Sequence, residues 1–163
     1  MIDADKIDTV ETFLAISMLL EFESADRLRE LSHSMRQEHD AENLAKLLDK
    51  LAGYSDMHAS EILELSEGHV MPDLATEGMT WEGLEGPETT VYGSINPEMT
   101  VLDVLQIALR NEVKGQDFYT HISLNSPNDE VRKLAADFAD EENEHVMQLE
   151  QWIESHKQSQ QVD

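Results

Sequence analysis

Glu142-Asn143-Glu144-His145 is the stretch on which the fold turns. Its first and last residues are three apart, so on a helix they share a face at about one turn's separation in height. A carboxylate and an imidazole placed in this way can reach the same metal ion. Taken alone, the spacing fits an ordinary solvated helix face equally well. Its weight comes from what stands at matching distances elsewhere. Just upstream, Ser126-Pro127-Asn128-Asp129 combines an N-cap, a proline at the first helical position and an acidic third position, and predicts a helix over about 127–156. Thr100 with Asp103 opens the preceding helix, over about 100–124, which carries Glu112 in Ala108-Leu109-Arg110-Asn111-Glu112-Val113. Positions 112 and 145 are centred on Asn128 and Asp129, so an antiparallel hairpin folded there brings Glu112 and His145 to one height.

The first half of the chain repeats the pattern. Asp8 with Glu11 reads as a capping box for a helix over about 9–39, with Val10, Phe13, Leu14, Leu20, Leu28 and Leu31 at roughly helical spacing. A second helix over about 41–66 carries Leu44, Leu47, Leu48, Leu51, Ile62 and Leu65, and so short a turn between them makes antiparallel neighbours. Glu21 follows Ser17-Met18-Leu19-Leu20, the most apolar part of its helix, where an unpaired ionised carboxylate is expensive to bury. Exposure, or pairing with an arginine, is the alternative. Glu21 and His58 are centred on His39 and Asp40, the predicted turn, so all four helices present a polar residue at about one level. Aligning Glu21 with Glu112 sets Leu14 on Leu105, Ile16 on Ile107, Ser24 on Gly115 and Ser32 on Ser123. Aligning His58 with His145 sets Ala52 on Ala139 and Ile62 on Leu149. The common order of these matches points to an internal duplication.

Between the halves lies a connection, about 67–99. It holds five of the seven glycines and three of the four prolines between Gly68 and Pro97, with no Lys or Arg. Trp81, Tyr92, Met71 and Met79 are its candidates for packing on the helices, and Thr89 to Tyr92 its one candidate extended stretch. Phe118, Tyr119 and Trp152 are core or dimer-interface candidates. His33, His39, His69, His121 and His156 have no aligned partners and read as surface residues. The expectation is a single domain over 1–163, all-α, with two antiparallel hairpins joined by a long crossover. Thirty-five acidic against eleven basic residues give a net charge of -24, which repels nucleic acid and anionic membranes alike. With no cysteine there is no disulfide, thiolate zinc site or rubredoxin-type iron centre. Neither a signal peptide nor a bilayer-spanning run is present in the sequence, so the expected location is cytoplasmic.

In helix order, central crossover and the segments Glu112-Val113-Lys114-Gly115-Gln116-Asp117-Phe118-Tyr119 and Glu142-Asn143-Glu144-His145, residues 9–155 resemble the ferritin-like superfamily, specifically rubrerythrin-related proteins. The resemblance implies a ferritin-like four-helix bundle that holds two irons and reacts with oxygen or peroxide, or oxidises ferrous iron, with an external electron donor and a homodimeric or larger assembly. It makes Glu21 and Glu112 terminal carboxylates, Glu142 a bridging one, and His58 and His145 nitrogen ligands. Two positions depart from the family pattern: Ser55 stands where a second Glu-x-x-His needs its Glu, with Tyr54 and Glu61 near the same face, and Gly115 stands where another Glu often follows. Iron leads for an all-oxygen and nitrogen donor set, with manganese and zinc open. A non-haem iron peroxidase or ferroxidase, an iron-binding protein with an incomplete site, and a metal-free interaction scaffold all remain as readings.

Overall fold

The computed structural model describes residues 3–74 and 95–161. Within them the chain forms a short 3-10 turn, Ala4–Lys6, and four α-helices: α1 (Val10–Gln37), α2 (Glu42–Leu65), α3 (Val101–Asn125) and α4 (Asp129–Gln161). No strand occurs among the described residues, and no helix there is long and apolar enough to cross a membrane. Trp81, Tyr92, Met79 and the Thr89 to Tyr92 stretch lie outside the described residues.

α1 packs along α2, and α3 along α4. The α1–α2 turn is tight: Asp40 takes φ 51°, which its short polar side chain tolerates, and the Ala41 N–H donates to Met35 O at 2.8 Å. The turn faces Pro97, Met99 and Val101, so α3 begins at the end of the bundle where α2 begins. At the opposite end, Ser126 Oγ donates to Ile7 O at 2.7 Å, which fastens the α3–α4 turn to the chain entering α1. α2 and α3 therefore run parallel and the connection between them spans the bundle's length, the topology of a bundle built from two hairpins and one crossover.

Three helix starts deserve comparison with the sequence. Thr100 and Asp103 form the expected reciprocal capping box. α1 is capped by Thr9, whose hydroxyl accepts from Thr12 N, rather than by Asp8, and Glu11 turns outward to His69 at 2.8 Å. α4 starts two residues later than expected: Ser126 is engaged with Ile7, and Asn128 Oδ1 accepts from the N–H groups of Glu130 and Val131. α4 also runs on to Gln161, about a turn past the expected end.

The core is divided into two apolar layers. The lower one gathers Ile7, Phe13, Leu14, Ile16, Leu20, Ile62, Tyr119, Ile122, Val131 and Phe138, with Met71 of the crossover packed against it. Phe13, Tyr119 and Phe138 form an aromatic triangle with centroids 5.2–6.1 Å apart. The upper layer gathers Leu28, Met35, Leu44, Leu48, Leu51, Val104, Ile107, Leu149 and Ile153, with Tyr54 and Trp152 at its edge. Leu65, placed with the apolar residues by its spacing, is 42% exposed at the end of α2. His33, His39 and His69 are exposed as expected, whereas His121 and His156 are half-buried.

Candidate metal centre

The gap between the two layers is filled by polar residues, one set from each helix. The lower layer ends on α1 at Leu20 and the upper begins at Leu28, leaving Glu21 and Ser24 between them. On α2 the gap holds Ser55 and His58, on α3 Asn111 and Glu112, and on α4 Glu142 and His145. Each set falls there because the apolar rhythm of its helix is interrupted for one turn at the same height. All five residues singled out by register therefore meet in one place.

Two groups of ligand atoms result, Glu21 with His58 and Glu142, and Glu112 with Glu142 and His145; within each, the atoms lie within 4.8 Å of one another. Glu142 belongs to both. His58 Nδ1 lies 3.2 Å from Glu21 Oε1 and 3.5 Å from Glu142 Oε1. His145 Nδ1 lies 3.7 Å from Glu112 Oε2 and 3.9 Å from Glu142 Oε2. Both imidazoles thus turn the same nitrogen inward, and their rings stack at 4.8 Å. A cavity of about 10 Å³ sits among these side chains, room for about one water-sized species.

The electrostatics are those of a cluster short of positive charge. Glu21 is 4% exposed and Glu142 3%. Burial drives the Glu21 carboxyl well above its ordinary range, the nearby Glu112 charge adds to the rise, and His145 and the Ser55 hydroxyl pull it partly back. Burial acts the same way on Glu112, but hydrogen bonds to Glu142 and His145 outweigh it and hold that carboxyl below its ordinary range. Among the described residues, the basic partners of these carboxylates within 4 Å are imidazoles rather than lysine or arginine. Buried carboxylates need a counter-charge; a divalent cation held among these oxygen and nitrogen donors would supply it, and the donor set suits iron, manganese or zinc. The residues present fit such ions.

The sequence did not single out Ser24, Asn111 or Glu141 as members of this site. Ser24 follows Glu21 by three positions and shares its helix face, but nothing in the sequence ranks it as a member of the site; Asn111 adjoins Glu112, a spacing at which side chains diverge. Glu141, four residues before His145, approaches His58 Nε2 at 3.9 Å, and partial burial together with a hydrogen bond to Glu61 pushes its carboxyl up to about 6. Ser55, 9% exposed, donates to Ser24 Oγ at 3.2 Å, so the place of the absent carboxylate is taken by a hydroxyl pair. Tyr54 stacks on His145 at 4.9 Å and donates to Gln148 Oε1 at 3.2 Å.

Comparison with known proteins agrees with this geometry. The rubrerythrin family profile matches residues 103–163, the segment that carries Glu112, Glu142 and His145. A conserved, uncharacterised protein from Magnetospirillum magnetotacticum MS-1, solved by crystallography, is similar in structure at a TM-score of 0.65 and 33% sequence identity, over 90% of this chain and 95% of that one. No functionally curated protein matches. With this identity over nearly the whole of both chains, and the rubrerythrin profile on its second hairpin, the chain belongs to the rubrerythrin-related family of the ferritin-like superfamily.

Proposed function

We propose that the chain is a two-metal non-haem iron oxidoreductase that takes electrons from an external donor and passes them to hydrogen peroxide. The observation that carries this reading is the pair of ligand groups sharing Glu142. Glu21, His58 and Glu142 would hold one ion, and Glu112, His145 and Glu142 the other. Iron bound there supplies reversible one-electron chemistry at two adjacent centres. Hydrogen peroxide takes up two electrons and two protons and leaves as two waters.

The chain's own part is to prepare the place. The two apolar layers exclude bulk water from above and below, so the charges between them interact in a medium of low polarity. Glu142, nearly fully buried, keeps both groups at fixed separation from one helix. Glu141 stands at the outer nitrogen of His58, on the side away from the ligand cluster, where a carboxylate orients a ligating imidazole. The small cavity limits what can approach to a species of a few atoms.

Anaerobic loading with ferrous iron, followed by rapid mixing with peroxide, tests the proposal. The expected result is two ions per chain and one peroxide consumed for every two ferrous ions oxidised, faster than free iron reacts. A chain that binds no iron, or oxidises it no faster than buffer does, would sink it. The hydroxyl at Ser55 favours a second reading, an iron-binding protein with an incomplete site and little turnover. Its signature in the same experiment is one ion held tightly and no acceleration.

A further inference from the structure

We propose that Tyr54 and Trp152 form an electron relay from the bundle surface to the carboxylate–histidine centre, with Trp152 as the port for a one-electron donor. This rests on the two-metal redox reading above and adds the route by which electrons reach it.

Four rings form an unbroken stack. His58 and His145 lie 4.8 Å apart at 30°, His145 and Tyr54 4.9 Å apart at 29°, and Tyr54 and Trp152 6.2 Å apart at 27°. The rings alternate between α2 and α4. Tyr54 and His58 are four apart, His145 and Trp152 seven, so each pair occupies one face of its helix. The arrangement differs from that of the lower core, where Tyr119 meets Phe13 and Phe138 edge-on at 76° and 84°. Electron tunnelling weakens exponentially with distance, and a stack of near-parallel rings divides one long transfer into short ones. In a chain without cysteine, tyrosine and tryptophan are the side chains suited to transient one-electron oxidation.

The outer end is built to pass charge inward. Lys50 Nζ lies 3.9 Å over the Trp152 ring and is exposed. A cation there makes the indole harder to oxidise, so an electron vacancy rests on Tyr54. In one cycle Tyr54, its hydroxyl oriented by half-buried Gln148, would give an electron to metal held at the centre and lose its phenol proton to water. The donor's electron then enters through Trp152, Tyr54 recovers its electron and a proton, and the relay is unchanged. The donor has lost one electron and the centre has gained one.

The test begins with the metal-free full chain carrying W81F and Y92F, so that Trp152 is the single indole. Azide radical generated by pulse radiolysis oxidises the indole. The expected result is a phenoxyl signal that rises as the indolyl signal decays, at a rate independent of protein concentration, and is lost on adding Y54F. A phenoxyl rise that persists with Y54F, or an indolyl radical that decays without one, overturns the relay. In the iron-loaded chain, Y54F and W152F should each keep the wild-type iron content and slow re-reduction of the oxidised centre by a one-electron donor at least tenfold. Iron bound with re-reduction unaltered in both variants overturns the relay alone, whereas a wild-type chain that binds no iron overturns the two-metal reading.

Discussion

Replacing Glu142 by Gln should change the stability of the chain in opposite directions with and without metal. In the metal-free protein Glu142 is 3% exposed and hydrogen-bonded to Glu112 in a cluster that also holds Glu21. Gln keeps the shape, and its amide donates to Glu112, while one buried acid is removed. Substituting a neutral group of similar volume for a buried ionisable one is neutral to stabilising, here by about 1–2 kcal/mol. For a chain of this size each kcal/mol moves Tm by about 2–4 °C, so the metal-free variant should melt about 2–8 °C above the wild type. The loaded protein should show the reverse. Each ion, at 100 times its dissociation constant, contributes about 2.7 kcal/mol, or about 5–10 °C. Because Glu142 stands in both ligand groups, E142Q should lose most of this gain at both sites. Scanning calorimetry of chelator-treated and ferrous- or manganese-loaded samples measures both quantities. A metal-induced rise in Tm as large as in the wild type, or a metal-free variant that melts lower, would refute the shared-ligand assignment.

Ser55→Glu should raise metal affinity about tenfold or more by supplying the absent carboxylate, at a cost of about 1–3 kcal/mol to the metal-free fold because the site is packed; metal titration and unfolding curves measure the two effects. Thr100→Ala removes the hydroxyl that caps α3 and should cost about 1 kcal/mol in denaturant unfolding, with metal content unchanged because the cap lies at the end of the bundle. The Asp49 carboxyl is held below its ordinary value by the Ser32 hydroxyl at 2.5 Å and by Arg36 at 3.0 Å. A depressed carboxyl contributes stability that is complete above its unfolded value and is lost as pH falls through its folded one. Asp49→Asn should therefore lose less stability than the wild type on acidification below about pH 4, by only about 0.5 kcal/mol because the side chain is 48% exposed.

The helices were legible because their signals are local. Apolar spacing, the Thr100–Asp103 pair and the cluster of glycines and prolines between Gly68 and Pro97 act within a few residues of themselves. The caps of α1 and α4 were misread because tertiary contacts decide them. Ser126 Oγ, held by the carbonyl of Ile7, accepts from Asn128 N at 3.3 Å while Asn128 Oδ1 caps the first turn of α4, and Asn128 Nδ2 donates in turn to Asp8 O at 2.9 Å. The meeting of Glu21, His58, Glu112, Glu142 and His145 could be anticipated, since equal distance from a turn sets equal height in an antiparallel hairpin. Ser24 and Asn111 could not be ranked in the same way. Which face of a helix turns inward at one level depends on the packing of Phe13, Ile62 and Leu149 above and below it. The stack of Tyr54 and Trp152 on the imidazoles depends on side-chain rotamers as well, and sequence spacing carries no information about those.

Anomalous diffraction at the iron and zinc absorption edges, from crystals grown without added metal, tests the central claim most directly. The account predicts two peaks at the iron edge flanking Glu142, one beside Glu21 and His58 and the other beside Glu112 and His145. No peak between the apolar layers, or metal bound only outside them, would contradict it.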